Sequence, residues 1–277
     1  MSKRLEGKKA LVTGAGKQTG IGFAIAKKLA MEGADVIVAD LVRQLDEKFE
    51  GYVRTSDADL MQETVAALKE TGVEAYGVPL DVTDPESVKA MAAEVADKFG
   101  KIDILINNAG GSPGVSTLVA MEESSWLYNF DLNLHGPWRV TRALYETLND
   151  GAGIVNVSSR AGKVPAAFQG AYCTAKAGLI MMTRIMALEF SPRKIRANSV
   201  CPGQIDTELG QWGWKMKAGA EGLTYEQYRE VLASRLPAKR LGKPQDVADV
   251  AVYLVTDEAS FITGQAINVT GGQLMEL

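Results

Sequence analysis

Residues 9–31 read KALVTGAGKQTGIGFAIAKKLAM, and this stretch decides the fold. The apolar run at 9–13 predicts a β-strand, and the apolar spacing over 21–31 predicts a helix. The turn between them and the start of the helix contain four glycines: Gly14, Gly16, Gly20 and Gly22. Glycines allow a tight turn and close backbone approach, and the N-terminus of the following helix offers free N–H groups to phosphates. A purely structural turn fits the same residues, but the acidic residue that ends the next strand favours a dinucleotide-binding turn.

Strand and helix patterns alternate along the rest of the chain. Further apolar runs predict strands at 35–39, 75–80, 102–106, 153–157, 196–200 and 265–269. Helical spacing predicts helices at 60–69, 127–148, 172–190 and 246–254. Such alternation is typical of a doubly wound α/β fold of the Rossmann type, in which helices cover both faces of a parallel sheet. No linker or repeat interrupts the pattern, so we expect a single domain over residues 1–277.

One further helix has clear start and stop signals. Thr83 is followed three residues later by Glu86, which is the pattern of a capping box with Thr83 as the N-cap. Apolar residues then repeat at helical spacing through Val88 and Val95. Gly100 ends the helix, because glycine readily adopts the conformations of a C-terminal cap.

The composition disfavours several classes of protein. With 30 basic and 34 acidic residues the net charge is −4, and no basic run is present, so we expect no nucleic-acid partner. No apolar run approaches the roughly 20 residues that a membrane-spanning helix needs. Two cysteines are too few for a disulfide framework, and a cytoplasmic setting is the default expectation. His135 is the only histidine, so we expect no metal site and assign that residue to packing or a structural hydrogen bond.

The residue that ends the second predicted strand bears on the choice of cofactor. Asp40 lies 18 positions after Gly22, where a carboxylate accepts hydrogen bonds from ribose hydroxyls and repels a 2′-phosphate. Asp40 therefore favours NAD over NADP. Lys17 lies in the glycine turn and Arg43 follows Asp40 closely, and either can approach a 2′-phosphate, so NADP stays the alternative.

Small and amide residues follow the third and fourth predicted strands, at the edge of the sheet where ligands bind. The candidates for cofactor contacts there are Asp81, Val82, Asn108, Ala109 and Gly110. Such residues can line an adenine and ribose site, tie adjacent turns together, or do both.

Tyr172 and Lys176 are four positions apart at the start of a predicted helix, so they share a face. A tyrosine with an ordinary pKa near 10 is a poor base, and a nearby ammonium is expected to lower that pKa. Ser159 follows a predicted strand 13 residues before Tyr172, and its hydroxyl can bind the same substrate oxygen. The three residues predict acid/base chemistry at an alcohol or carbonyl oxygen.

On these motifs the chain resembles the short-chain dehydrogenase/reductase family over about residues 7–272. The resemblance is carried by the glycine turn, Asp81, residues 107–110, Asn133, Ser159, Tyr172, Lys176, Pro202 and Gly203. It implies a Rossmann-type sheet of about seven strands, often in a homotetramer. It also implies an enzyme that interconverts a secondary alcohol and a ketone with a nicotinamide cofactor.

The resemblance implies a role for each matching residue. Tyr172 is the acid/base, and Ser159 polarises the substrate oxygen. Lys176 binds the nicotinamide ribose and lowers the pKa of Tyr172, while Asn133 holds a water that relays protons to Lys176. Contacts with the nicotinamide are implied for Pro202, Gly203, Ile205 and Thr207.

Two features depart from the family pattern. Five residues separate Gly14 from Gly20 where the family has three, so it is open which N–H groups meet the phosphates. The polar stretch 41–59 is also longer than usual, and it can form a lid, an oligomer contact or a solvated loop.

Three variable segments are expected to set the substrate: 111–114, 160–169 and 208–236. The third carries several large side chains: Trp212, Trp214, Met216, Tyr225 and Tyr228. It predicts a helical lid over the substrate, or a segment packed on the body or on a neighbouring subunit. Arg160 and Lys163 can bind an anionic group or simply lie exposed.

Three functions compete on these residues. The leading hypothesis is an NAD-dependent dehydrogenase of a small polyol, sugar or hydroxy compound. An NADP-dependent ketone or 3-oxoacyl reductase is the first alternative, and Asp40 argues against it. A regulator that binds NAD(H) without turnover is the second, and the presence of Tyr172, Lys176, Ser159 and Asn133 argues against it.

Overall fold

The computed structural model describes residues 3–42 and 57–276. Within these residues a seven-stranded parallel sheet forms the centre, in the order β3-β2-β1-β4-β5-β6-β7. The strands are β1 (Lys9–Thr13), β2 (Asp35–Asp40), β3 (Ala75–Pro79), β4 (Ile102–Asn107), β5 (Leu148–Val157), β6 (Arg196–Pro202) and β7 (Ala266–Val269). The predicted Rossmann-type α/β fold is confirmed.

Helices cover both faces of this sheet. In the described ranges they are α1 (Ile21–Met31), α2 (Ala58–Lys69), α3 (Pro85–Phe99), α4 (Glu123–Phe130), α5 (Gly136–Leu144), α6 (Gly170–Glu189), α7 (Glu208–Ala220), α8 (Tyr225–Arg235) and α9 (Pro244–Tyr253). Val12 of β1 packs in the core that contains α1 and α9, while Leu11 packs with α3 and α5 on the opposite face. Successive side chains of a strand point to opposite faces of the sheet. Both residues are buried, so helices cover the sheet on each face at this strand.

The strand order reverses between β1 and β4, which opens a crevice at the carboxyl ends of these strands. The parallel register places Thr13 beside Ala39 and Asn107 beside Asn156, so the polar strand ends meet at one edge. The candidate residues that follow the strands are therefore brought together.

The start of α3 differs from the prediction. Thr83 is not its N-cap, because Asp84 takes that position and accepts a hydrogen bond from the Glu86 backbone over 3.0 Å. Pro85 is the first helical residue, a position that needs no N–H donor. The Thr83 hydroxyl instead donates to Asp81 over 2.6 Å. The predicted end at Gly100 is confirmed, with a positive φ of 67°.

The long helix predicted over 127–148 is helical almost throughout, but it is not one regular α-helix and it does not include Leu148. The chain forms α4, then a π-helical turn over Asp131–His135, then α5, and Leu148 already belongs to β5. The apolar spacing read from the sequence does not reveal a π turn, which is a rare single turn within an α-helix. The π turn directs the buried Asn133 toward the loop after β4.

Most of the polar stretch 41–59 lies outside the described residues, as does Arg43, and Asp57 caps α2 by accepting from the Leu60 backbone. In the described part of the chain, no helix is long and apolar enough to span a bilayer.

Candidate active site

A cavity of about 840 Å³ opens at the carboxyl ends of the strands. Most predicted site residues line it: Gly14, Gly20, Ile21, Gly22, Asp40, Asp81, Val82, Asn108, Ala109, Gly110, Ser159, Tyr172, Lys176, Pro202, Gly203, Ile205 and Thr207. Among the predicted residues that the structure describes, Gly16 and Asn133 are not part of the wall. The volume lies in the range of small-molecule and cofactor pockets.

The glycine turn has room for a ligand and none for extra side chains. A Cβ on Gly22 would lie 2.1 Å from the Gly14 carbonyl oxygen, and a Cβ on Gly14 would lie 2.8 Å from the Ala109 Cα. Gly20 has a φ of 95° and is the N-cap of α1, and within the described residues no side chain caps this helix end. The first N–H groups of α1 therefore face the cavity side of the turn as a place for phosphate oxygens.

The turns after β1 and β4 are tied to each other. Thr13 Oγ1 accepts hydrogen bonds from the backbone N–H groups of Asn108 and Ala109, both over 3.0 Å. The Asn108 side chain donates back to the Gly14 carbonyl oxygen over 2.9 Å. The expectation that this segment ties adjacent turns together is confirmed.

The longer glycine turn contacts a helix on each side. Thr64 of α2 donates to the Gly16 carbonyl oxygen over 3.0 Å. On the other side, Lys17 and Thr19 contact the carboxylate of Glu208 at the start of α7. Sequence reasoning missed Glu208, since nothing in the sequence connects a residue of the variable segment to the turn.

Asp40 lies at the end of β2 and faces this turn. Its Oδ2 accepts from the Gly16 N–H over 2.7 Å, and its Oδ1 accepts from the Leu41 N–H over 2.7 Å. Burial raises the pKa of the Asp40 carboxyl to about 6, although these bonds and the charge of Lys17 act in the opposite direction. The carboxyl is therefore mostly ionised at neutral pH, and Gly16 serves to hold it.

The neighbouring strand ends supply the remaining polar wall. Asp81 accepts from the backbone and hydroxyl of Thr83 over 2.9 and 2.6 Å, which fixes the turn after β3. Gly203, after β6, donates to the Val269 carbonyl oxygen over 3.0 Å. Thr207 caps α7 by accepting from the Gly210 N–H over 3.1 Å.

Tyr172 lies in the first turn of α6 and lines the cavity together with Ser159. Burial raises the pKa of the Tyr172 hydroxyl above its ordinary value, and the Ser159 side chain opposes this rise. The net shift of this pKa is upward and not downward as expected from Lys176, because desolvation is the largest cause. The Lys176 ammonium lies 5.8 Å from the centre of the tyrosine ring.

The Lys176 side chain is almost entirely buried. It is 3% exposed, and its Nζ donates to the Val157 carbonyl oxygen at the end of β5 over 2.9 Å. Burial lowers the pKa of the ammonium to about 8. Tyr172, Ser159 and Lys176 are thus brought together, as the sequence predicted from their spacing.

Asn133 lies behind the cavity, in the π turn. Its amide donates to the Gly111 carbonyl oxygen over 2.9 Å and accepts from the Gly111 N–H over 3.2 Å. A Cβ on Gly110 would lie 2.9 Å from Asn133 Oδ1 and 3.2 Å from Lys176 Nζ. The missing side chain at Gly110 leaves these two polar groups on either side of one small space.

Apolar and aromatic residues line the substrate end of the cavity, among them Val115, Tyr128, Phe168, Trp212 and Met216. Arg160 also lines it, and in the described part of the chain no carboxylate forms an ion pair with it. Lys163 does not face this end of the cavity in the same way, since it forms an ion pair with Glu276 over 2.5 Å.

Two further residues singled out in the sequence make local contacts. Cys173 contacts the Ala166 carbonyl oxygen. His135 makes a hydrogen bond with Asp131 over 2.9 Å, which confirms a structural hydrogen bond for that histidine.

The segment 208–236 forms α7 and α8, which pack on each other. Trp214, Tyr228 and Leu232 form a small apolar cluster between them. The indole of Trp214 donates to Gln204 over 2.9 Å, and Arg229 pairs with Asp206. Several of its large side chains thus attach this segment to the loop after β6, whereas Met216 is 52% exposed and lines the cavity.

Known proteins resemble this chain over almost its full length. A family model described as enoyl-(acyl carrier protein) reductase matches residues 14–273. A 3-oxoacyl-[acyl-carrier-protein] reductase from Thermotoga maritima is 37% identical, with 97% of this chain and 98% of that protein covered. A 2,3-dihydro-2,3-dihydroxybenzoate dehydrogenase from Bacillus subtilis is 32% identical, with 98% and 97% covered.

Two solved structures have the same fold. L-Sorbose reductase from Gluconobacter frateurii, complexed with NADPH and L-sorbose, has a TM-score of 0.87 at 30% identity, with 100% of both chains covered. Carveol dehydrogenase from Mycobacterium avium, in complex with NAD, has a TM-score of 0.90 at 26% identity, with 99% and 100% covered. Together with the family model, these relatives show that the chain belongs to the short-chain dehydrogenase/reductase family of oxidoreductases.

Proposed function

We propose that the protein is an NAD-dependent dehydrogenase that interconverts a secondary alcohol and a ketone, with Tyr172 as the acid/base. One observation carries the proposal: the side chains of Tyr172 and Ser159 interact in the wall of the cavity, next to the buried ammonium of Lys176. A substrate oxygen bound between them would meet two hydroxyl groups at once.

The wall fits a nicotinamide dinucleotide. Gly14 and Gly22 leave no space for side chains, which lets phosphates approach the backbone of the turn and the first N–H groups of α1. The proposed cofactor contacts are those that line the cavity at this end, with Gly16 positioning Asp40. Asp40 would accept from the adenosine ribose, and Pro202, Gly203, Ile205 and Thr207 would contact the nicotinamide part.

The protein's own residues handle the proton. When bound, the nicotinamide supplies or accepts the hydride. In reduction, Tyr172 donates its hydroxyl proton to the carbonyl oxygen, and the raised pKa keeps that proton in place at neutral pH. Ser159 donates a hydrogen bond to the same oxygen. The Lys176 ammonium, fixed on Val157, stabilises the phenolate that Tyr172 leaves behind.

The choice of NAD rests on Asp40. A mostly ionised carboxylate repels a 2′-phosphate, and its two oxygens are fixed by Gly16 and Leu41, so it cannot easily turn away. The relatives support both cofactors, since one solved structure holds NAD and another holds NADPH. An NADP-dependent 3-oxoacyl or ketone reductase is therefore the second candidate, and its support is the resemblance to the Thermotoga maritima reductase.

Nicotinamide absorbance during turnover separates these candidates. Purified protein is assayed with NAD and NADP on polyols, sugars, hydroxy acids and simple secondary alcohols, and with the reduced cofactors on ketones and 3-oxoacyl thioesters. We expect turnover with NAD on one group of alcohols. Turnover with NADPH on 3-oxoacyl thioesters alone would reject the proposal in favour of the second candidate. Binding of NADH without turnover on any compound would support a non-catalytic regulator.

We also propose a lid and an assembly. Residues 1–277 would form one domain in which 208–236 closes over the substrate, supported by the cavity-lining side chains of α7. The chain would assemble as a homotetramer, as the family resemblance implies. The apolar stripe Met181, Ile185 and Leu188 on α6, which are 53%, 45% and 75% exposed, offers a contact surface for it. Light scattering would then give four times the chain mass of 29.7 kDa.

We further propose a reducing, cytoplasmic compartment for this protein, which the free thiols of Cys173 and Cys201 support.

A further inference from the structure

The carboxylate of Glu208 joins two parts of the cavity wall that are distant in sequence. Glu208 is the first residue of α7, and its Oε2 lies 3.3 Å from the Nζ of Lys17. Its Oε1 accepts a hydrogen bond from the Thr19 hydroxyl over 3.1 Å. Both partners belong to the glycine turn, so one side chain uses its two oxygens to hold α7 on that turn.

The opposite side of the turn is held by α2. Thr64 donates to the Gly16 carbonyl oxygen over 3.0 Å, and Gln18 donates to the Glu63 carbonyl oxygen over 3.2 Å. Successive residues of the turn therefore alternate between contacts with α2 and contacts with α7. This alternation sets the direction in which the Lys17 side chain leaves the turn, toward the first turn of α7.

Among the cations that the structure describes in the cavity wall, Lys17 is the one best placed to bind a 2′-phosphate. Its charge acts on the carboxyl of Asp40, where the adenosine ribose is proposed to bind. The other described cations of the wall are Arg160, Lys176 and Lys217, which lie after β5, on α6 and on α7. A 2′-phosphate beside Asp40 would need the Lys17 ammonium to offset the repulsion between the two anions.

We propose that Glu208 determines the choice of cofactor by holding Lys17, an inference that rests on the proposed NAD-dependent function. The Glu208 carboxylate neutralises the ammonium and draws it to α7. A 2′-phosphate then meets the charge of Asp40 and a cation that is already paired. NAD carries no 2′-phosphate and needs no such partner. Glu208 is thus a specificity residue that acts through Lys17 and takes no part in the proton transfer.

Binding of the reduced cofactors tests this role without turnover. The dissociation constants of NADH and NADPH are measured on the purified full chain by nicotinamide fluorescence. Glu208→Gln keeps the side-chain length and a hydrogen-bond acceptor for Thr19, and it removes the charge that holds Lys17. We expect NADPH to bind about fivefold more tightly or better, with NADH changed less than about twofold. Adding Lys17→Gln to this variant should abolish the gain.

Thr19→Val is the matched control, because it removes the hydrogen bond to the same carboxylate and leaves the ion pair. Its preference between NADH and NADPH should stay within about twofold of wild type. An unchanged preference in Glu208→Gln, or a gain that persists without Lys17, overturns the role of Glu208. Tighter binding of NADPH than NADH by the wild type overturns the proposed cofactor instead, since the role of Glu208 is judged by the change between variants.

Discussion

The ammonium of Lys176 donates a hydrogen bond to the backbone carbonyl oxygen of Val157 over 2.9 Å, and only 3% of the residue is exposed. The end of β5 therefore fixes the charge that the proposed mechanism uses to stabilise the Tyr172 phenolate. Burial disfavours the protonated form of this side chain and lowers the pKa of Lys176 to about 8. The charge destabilises the folded protein at neutral pH, and this effect has a measurable pH dependence.

Lys176→Met removes the charge and keeps the side-chain length. The folded protein releases the Lys176 proton near pH 8, whereas the unfolded chain holds it up to the ordinary pKa of 10.5. Because the unfolded state then binds more protons, the wild type should gain about 2–3 kcal/mol relative to the variant as the pH rises from 7 to 10. Urea denaturation of both proteins across this range measures the gain. A stability difference that does not change with pH contradicts the buried charge.

The discrimination against NADP should depend on pH. The pKa of Asp40 is about 6, so its carboxylate is charged above that pH and neutral below it. We expect the ratio of the NADPH and NADH dissociation constants to fall roughly tenfold between pH 8 and pH 5, as the repulsion disappears. Asp40→Asn is the control, since only the titration of the 2′-phosphate itself remains in that variant. If the ratio has the same pH dependence in the wild type and in Asp40→Asn, the charge of Asp40 does not determine the choice between NAD and NADP.

Gly22→Ala should disrupt the cofactor end of the cavity. The added methyl group would lie 2.1 Å from the Gly14 carbonyl oxygen and 2.5 Å from the Asn108 amide, and the backbone oxygen has little freedom to move. We expect a loss of about 2 kcal/mol or more in the free energy of unfolding, together with weaker NADH binding. Urea denaturation and cofactor fluorescence measure the two effects.

Gly219→Ala is the control for that substitution. Gly219 lies in α7, and a Cβ there would meet no atom within 4 Å. Alanine is the better helix former, so this variant should be unchanged or more stable by about 0.5–1 kcal/mol. If Gly22→Ala behaves like Gly219→Ala, the close approach of the two turns does not restrict that position.

The sheet and the position of the acid/base were predictable from local signals. Strands such as β4 are buried on both faces and therefore read as continuous apolar runs, as in Ile104–Leu105–Ile106. Tyr172 and Lys176 share a helix, so their spacing alone places them side by side. The end of β2 places Asp40 at the glycine turn because parallel neighbours end at the same edge.

The sequence could not predict features that depend on contacts between distant segments. Lys17 and Glu208 are 191 positions apart, and nothing in the sequence around either residue indicates that the two form an ion pair. A π turn is rare and has no clear sequence signal, so the turn at Asn133 and its effect on the direction of that side chain could not be predicted. Burial raises the pKa of Tyr172, and its extent depends on the assembled cavity rather than on the neighbouring lysine.

Replacing Tyr172 with phenylalanine tests the central claim most directly. The variant loses only the hydroxyl that exchanges a proton with the substrate, and Tyr253→Phe, which removes an equivalent hydroxyl from the far end of α9, is the control. The measurement is the initial rate of nicotinamide reduction with the best substrate, alongside the NADH dissociation constant. We expect turnover to fall about 10²–10⁴-fold in Tyr172→Phe with NADH binding almost unchanged, and no change in Tyr253→Phe. Full turnover by Tyr172→Phe would contradict the account of this active site.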